Sequence, residues 1–143
     1  MSIYRIICLC FLLTLVACTD PLISIPGGKL KGEVVNVPAT WSNVPDTIQF
    51  EVNPSNPYSV NICAVVADDH LHVATGNAKW VPFIAEDPNV RVRIDGKIYE
   101  MTAARVTDKI AQATVVATYV AKYEVDDTAD WMTEGNAYRL SPR

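Results

Sequence analysis

Runs of alternating apolar and polar residues occupy most of the chain after its first thirty residues, and they predict β-strands. "GEVVNV" and "TIQFEV" are rich in branched residues, and the two prolines of "PATWSNVPD" interrupt any continuous strand between them. "SVNICAVVA" and "LHVAT" flank the three-residue connection "DDH", which predicts a hairpin. "VRVRI" and "KIYEMTAARV" flank Asp95-Gly96, a strong hairpin signal because both turn positions need positive φ.

The second of these hairpins has two unlike faces. In "NVRVRIDG" the valines and the isoleucine point one way, whereas Arg91 and Arg93 point the other. We expect the arginine face to be wet or to contact a ligand.

Two segments have the pattern of helices. Residues 108–122 carry an apolar stripe at spacings of three and four, and Thr107 or Asp108 can cap the helix. The predicted stripe consists of Ile110, Ala113, Val116, Ala117 and Val120. The other helix is short, because Pro82 belongs in a first turn, which places the cap no earlier than about Lys79, and Asp87-Pro88 ends the helix. Only tertiary packing can hold so short a helix.

A last strand, "AYRL", follows a Gly135-Asn136 turn. Because neighbouring strands are joined by hairpins or short loops, the sheet is predicted to be mainly antiparallel. The predicted fold class is therefore mainly β (α+β): a small antiparallel barrel with one short and one longer helix.

The first residues of the chain predict export. Arg5 precedes the uncharged stretch "IICLCFLLTLV", which is too short to span a membrane, and "LVAC" closes it at Cys18. This ending resembles a bacterial lipobox, so residues 1–17 are predicted to be a lipoprotein signal peptide and Cys18 the lipidated N-terminus. An ordinary secretory signal cleaved nearby or an uncleaved anchor are the alternatives. Residues 18–28 are predicted to be a tether and residues 29–143 the folded domain.

The residues after Cys18 also bear on destination. Thr19 comes directly after the cysteine and Asp20 second. In the enteric sorting pattern that this resembles, retention at the inner membrane requires aspartate directly after the cysteine. We therefore predict a lipid-anchored protein of the bacterial cell envelope, at the periplasmic face of the outer membrane rather than at the inner membrane.

Cysteine use and charge exclude several classes. Cys8 and Cys10 leave with the signal and Cys18 carries lipid, so no internal disulfide is predicted and Cys63 is expected to be an inert, buried thiol. The formal net charge is −4, and no run or stripe of basic residues offers a nucleic-acid footprint. Nucleic acid is therefore not a predicted partner.

Motifs for catalysis or metal binding are sparse. His70 and His72, with Asp68 and Asp69 beside them, could touch a metal, but spacing places no third ligand, so we predict a polar hairpin tip and no metal site. No serine elbow, Walker loop or metalloprotease motif is present in the sequence.

One stretch carries a family resemblance. The series "W…(I)A.DP.VRV.I.GK.YE..A.RVTD" over residues 80–108, preceded by "PYSVNICAVV" and "LHVATG", resembles the flavin-type split β-barrel superfamily. The resemblance is to small relatives of the deazaflavin-dependent nitroreductases and pyridoxamine-phosphate-oxidase-like proteins, and it covers roughly residues 28–123. It implies a split barrel, homodimerisation, and FMN or a deazaflavin bound in grooves at the dimer interface.

The same resemblance implies that Lys79 and Trp80 are the candidate cofactor-binding residues. Lys79 could add charge at a helix N-terminus, and Trp80 could either stack on a planar ring or fill the corner of the barrel. The nitroreductase relatives carry a Gly-rich basic loop and an asparagine three residues after the tryptophan. Here the loop is "NPSNPYS", and Phe83 stands in place of the asparagine.

Two classes of function follow. The first is a lipid-anchored binding or structural module that keeps the barrel but no bound cofactor and no catalysis. The second is an FMN- or deazaflavin-binding oxidoreductase of the nitroreductase-like family. Loss of the phosphate-cradling loop favours the first.

Overall fold

A computed structural model of the chain describes residues 20–23, 25–125 and 135–143. The predicted signal peptide and Cys18 lie outside these residues. Seven strands and two helices are described: β1 (Glu33–Val35), β2 (Thr47–Val52), β3 (Tyr58–Ala67), β4 (His70–Thr75), α1 (Val81–Glu86), β5 (Asn89–Ile94), β6 (Lys97–Arg105), α2 (Lys109–Tyr123) and β7 (Asn136–Pro142).

Six strands close into an antiparallel barrel, which confirms the predicted fold class. The strand order is β6-β5-β2-β3-β4-β7, and β7 pairs back onto β6. The first residues of β6 instead pair in parallel with β1, from Glu33 opposite Lys97 to Val35 opposite Tyr99. Closure removes the open strand edges that a flat sheet would expose.

Both tight hairpins turn on two residues with positive φ. Asp95 and Gly96 have φ of 50° and 75°, as the dipeptide predicts. Asp68 and Asp69 have φ of 49° and 63°, so the first hairpin also has a two-residue turn and His70 already belongs to β4. The predicted three-residue connection was one residue too long.

The barrel interior is apolar and holds the bulkiest side chains. Phe50 and Val92 are fully buried, and the Trp80 ring closes one end of the core. The Trp80 ring lies 5.2 Å from the ring of Phe50 and 5.8 Å from that of Tyr138, between ring centroids. These tilted and edge-on contacts are the favourable geometry for aromatic pairs.

Helix α1 is short and lies within the limits predicted from the sequence. Trp80 is its N-cap residue, Pro82 lies in the first turn as predicted, and Asp87 is the C-cap. The amide of Val81 donates to the carbonyl oxygen of Ala78 at 3.2 Å. This amide is therefore not available to bind an anion.

Helix α2 begins and ends as predicted, with Asp108 accepting a hydrogen bond from the Ala111 amide at 2.8 Å. The predicted buried stripe is wrong. Ile110 is 79% exposed, and Ala113 and Ala117 are also exposed. The helix buries Val115 and Tyr119 against the outer surface of β3.

The segment before β1 lies on the barrel and covers the arginine face of the β5–β6 hairpin. Arg93 pairs with Asp20, with Nη2 2.8 Å from Oδ2, and also donates to the side chain of Gln49. Gly27 exchanges two backbone hydrogen bonds with Ser59. The arginine face therefore contacts the chain itself. The domain boundaries inferred from the sequence stay predictions.

Candidate functional site

The most prominent structural feature is a seam in the barrel wall where β3 changes partner. Residues 58–63 of β3 pair with β2, whereas residues 64–67 pair with β4. Ten residues long, β3 runs past the end of both neighbours. The wall is therefore split on either side of Cys63 and Ala64, and backbone groups there need other hydrogen-bond partners.

Two tyrosines of α2 supply those partners. The Tyr119 hydroxyl donates to the carbonyl oxygen of Cys63 at 3.1 Å. The Tyr123 hydroxyl accepts from the Ala64 amide at 3.1 Å and lies 2.8 Å from the Ala64 carbonyl oxygen and 2.7 Å from that of Asp46. Burial raises the pKa of Tyr123 to about 12, so its hydroxyl stays protonated and able to donate at neutral pH.

Lys122 fixes the same end of α2. Its ammonium donates to the carbonyl oxygens of Val44, Pro45 and Ala64, at 3.2, 3.1 and 2.8 Å. Burial lowers the pKa of Lys122, because it removes the ammonium from water, and the charge of Asp46 offsets only part of this effect. All three of its donors are directed into the protein, which leaves none for a ligand.

A cavity of about 650 Å³ opens at the seam, between β3, the end of β4 and α2. This volume falls in the range of small-molecule sites, about 300–1,000 Å³. Its described lining carries no arginine or lysine. The lining residues are Asn61, Ile62, Cys63, Ala74, Thr75, Gly76, Tyr119, Tyr123 and Val125.

Cys63 faces this cavity and is exposed, so the expectation of a buried thiol is wrong. Its neighbours in the sequence are apolar, but alternation along β3 turns Ala64 into the core and Cys63 outward. Sequence reasoning also missed Tyr119 and Tyr123. Their spacing of four was the available signal, because it places both on one face of a helix.

The two predicted site residues lie in different environments. Trp80 is only 4% exposed and packs in the core, whereas the neighbouring Lys79 is exposed. Trp80 therefore fills the corner of the barrel, which is one of the two roles expected for it. Cofactor binding by Lys79 and Trp80 stays a prediction.

His70 and His72 are brought together with Asp68 at one end of the barrel. Nδ1 of His70 lies 2.7 Å from the carbonyl oxygen of Asp68, and Nδ1 of His72 lies 2.9 Å from that of His70. Within residues 20–23, 25–125 and 135–143, no three histidine, cysteine or acidic side chains gather as metal ligands. None of the helices in those ranges is long and apolar enough to cross a membrane.

Solved structures share this fold. A conserved hypothetical protein from Mycobacterium tuberculosis is 18% identical, with a TM-score of 0.59 over 71% of this chain and 75% of its own. An F420-H2-dependent reductase is 12% identical, with a TM-score of 0.56 over 76% and 98%. An FAD-binding protein from Mesorhizobium loti is 13% identical, with a TM-score of 0.52 over 69% and 80%.

The chain thus has the split β-barrel fold found in flavin-type proteins. No protein-family model and no curated sequence matches it.

Proposed function

We propose that the protein is a lipid-anchored binding module of the cell envelope, which binds a planar, uncharged ring in the seam cavity and performs no catalysis. The observation that carries this proposal is the lining of the cavity: apolar and aromatic side chains, with no cation among its described residues. Tyr123, which is half-buried and stacks on the buried ring of Tyr119, offers a ring surface to a ligand.

A flavin nucleotide needs a partner for its phosphate, and the nearby cations do not supply one. Lys122 is engaged by three carbonyl groups, and Lys79 does not line the cavity. Charge-assisted contacts are the strong ones in phosphate recognition. The ring portion of a flavin therefore fits the cavity better than the whole nucleotide does.

Titration with riboflavin and FMN tests this directly. We expect both to quench protein fluorescence with similar dissociation constants, because the phosphate contributes no contact. Cys63→Trp should block the cavity, whereas Cys63→Ser, which keeps the space open, should bind normally. If neither ligand binds, or if Cys63→Trp binds as well as Cys63→Ser, the proposed site is wrong.

The second candidate is an FMN- or deazaflavin-dependent oxidoreductase, favoured by the fold it shares with the F420-H2-dependent reductase and the FAD-binding protein. Its signature would be a coloured protein after purification and FMN binding at least about tenfold tighter than riboflavin binding, which is about 1.4 kcal/mol. Loss of that difference in Lys79→Ala would assign the phosphate to Lys79.

Anchoring is supported by an apolar turn near the proposed lipid. Leu22 and Ile25 exchange backbone hydrogen bonds of 3.0 and 2.6 Å, which hold Ile23 at the tip. Leu22, Ile23 and Ile25 are 54, 92 and 64% exposed. Such side chains favour the membrane interface, where two acyl chains would hold the protein at about 0.8 kcal/mol per buried CH₂.

Mass spectrometry of the mature N-terminus and membrane fractionation test the anchor. The wild type should begin at a diacylated Cys18 and sediment with outer membranes, and Cys18→Ala should remain unprocessed or soluble. A mature chain with an unmodified N-terminus at another residue contradicts the proposal.

We also propose a homodimer. Because the barrel is closed, two copies would contact each other through side chains and not through open strand edges. The seam cavity is open on one side at the C-terminal end of α2, and the same helix exposes Ile110, Ala113 and Ala117 along its length. A second copy could bury both surfaces. Sedimentation should give a dimer that Ile110→Lys disrupts, whereas a wild-type monomer at tens of micromolar contradicts it.

A further inference from the structure

A second cavity, of about 340 Å³, lies at the N-terminal end of α2, and the proposed function does not use it. It is formed by the β3–β4 turn, the outer faces of β4 and β7, the end of β6 and the first turn of α2. The lining residues are Asp68, His70, His72, Ala104, Arg105, Val106, Thr107, Asp108, Ala111 and Arg139.

His72 is the buried polar group of this cavity, at 5% exposure. Its Nδ1 faces a carbonyl oxygen, that of His70 at 2.9 Å, and a carbonyl accepts only, so Nδ1 carries the proton. Burial lowers the pKa of His72, which keeps the ring neutral near pH 7. Nε2 is then an acceptor without a hydrogen-bond partner among the described residues.

Arg139 is the cross-strand neighbour of His72 on β7, and Ala104 of β6 lies opposite Arg139 on the other side. Arg139 and Arg105 line the cavity, and the side chain of neither makes a hydrogen bond or ion pair within the described part of the chain. Directly paired strand residues have Cβ atoms about 5 Å apart. A donor fork and the Nε2 acceptor of a largely buried imidazole therefore face one small volume.

The two carboxylates of the lining differ in availability. Asp108 caps α2 through the Ala111 amide, so its charge is held at the helix terminus. Asp68 lies in the β3–β4 turn, where its carbonyl oxygen lies 2.7 Å from Nδ1 of His70. The first turn of α2 adds the positive end of the helix dipole, which favours an anion there.

We propose that this cavity binds a singly protonated phosphate, either hydrogen phosphate or a phosphate monoester, with Arg139 donating to its oxyanion and Nε2 of His72 accepting its P–O–H proton. A carboxylate or sulfate has no proton to donate at neutral pH, and it would leave the Nε2 acceptor unpartnered. The second pKa of a phosphate monoester is about 6, so a protonated fraction persists near neutrality.

The test is a titration of ¹⁵N-labelled protein with inorganic phosphate, glycerol 1-phosphate and sulfate, read at the Nε2 resonance of His72. We expect a saturable shift with phosphate or its ester, and sulfate binding at least about tenfold weaker, a difference of about 1.4 kcal/mol. Whichever phosphate compound binds more tightly identifies the source of the group. Sulfate binding as tight as phosphate binding would overturn the proposal.

Two arginine variants separate a site from general attraction of anions. Arg139→Gln should abolish the shift, and Arg139 is exposed, so the fold should persist. Arg143→Gln removes the same charge at the far end of β7, where Arg143 pairs with Glu100, and should bind phosphate as the wild type does. Equal loss in both variants, or no loss in Arg139→Gln, would overturn the proposal.

Discussion

Arg91 and the buried Glu51 form an ion pair on the outer face of the barrel, with Nη1 3.1 Å from Oε2. Both groups also hold the backbone of Leu30: its amide donates to Glu51 at 2.5 Å and its carbonyl oxygen accepts from Arg91 at 3.1 Å. Leu30 is 1% exposed. The pair therefore fastens the N-terminal segment to the barrel through one buried residue.

Removing Arg91 should destabilise the protein strongly. Arg91→Ala leaves Glu51, which is 3% exposed, without its counter-ion, and such losses typically cost about 3–5 kcal/mol. Arg143→Ala breaks an exposed pair with Glu100 and should cost less than about 1 kcal/mol. Urea unfolding measures both, and equal losses would contradict the role given to the buried pair.

A methyl group at Gly32 should loosen β1. The Cβ of Gly32→Ala would lie 2.3 Å from the carbonyl oxygen of Gly96, so the backbone must shift, at about 1–3 kcal/mol. At Gly28 the nearest atom to a Cβ is the Pro57 oxygen, at 3.9 Å, and Gly28→Ala should be tolerated. Thermal unfolding compares the two, and a Gly28 variant as unstable as the Gly32 variant would refute the steric argument.

Trp80 and Lys79 should differ in stability although they are adjacent. Trp80→Ala removes a core ring that is 4% exposed and should cost about 3–5 kcal/mol. Lys79→Ala changes an exposed residue and should lie within about 0.5 kcal/mol of the wild type. Chemical denaturation measures both. A stable Trp80→Ala protein would show that the ring does not close the core.

Stability should decrease as the pH falls below 6.5, the ordinary pKa of histidine. The unfolded chain protonates His72 there, whereas burial lowers the pKa of His72 in the folded state, so protons favour unfolding until the pH falls through the folded value. The hydrogen bond to the His70 carbonyl oxygen and the charge of Asp68 favour protonation of His72, whereas the side chains of His70 and Arg139 oppose it. His72→Gln should flatten this part of a pH–stability curve. An unchanged slope would assign the effect to another group.

The strands and turns followed from local sequence, because each hairpin needs only its own residues. Asp95-Gly96 shows this, since its dipeptide and its φ values agree. The face of α2 did not follow, because both sides of that helix are rich in Ala, Val and Thr. Its orientation is set by Tyr119 and Tyr123, whose hydroxyls meet unpaired backbone groups of β3. That requirement exists only once the barrel has formed.

The exposure of Cys63 and the cover over Arg93 were missed for the same reason. Alternation placed Arg93 away from the core correctly, but only the folded chain brings Asp20 to it, across 73 residues of sequence. Cys63 is exposed because it lies where β3 changes its pairing from β2 to β4. The position of that change depends on the lengths of β2 and β4.

Because β6 and β7 close the barrel, the segment from Asp20 to Val35 is attached to a structure that is complete without it. A pull on the N-terminal end would load the Asp20–Arg93 pair first, then the Gly27–Ser59 bridge, then the buried Leu30, and last the three residue pairs of β1. Fully extended, this segment reaches roughly 50 Å. These contacts would therefore break one after another under load, while the strands of the barrel stay paired.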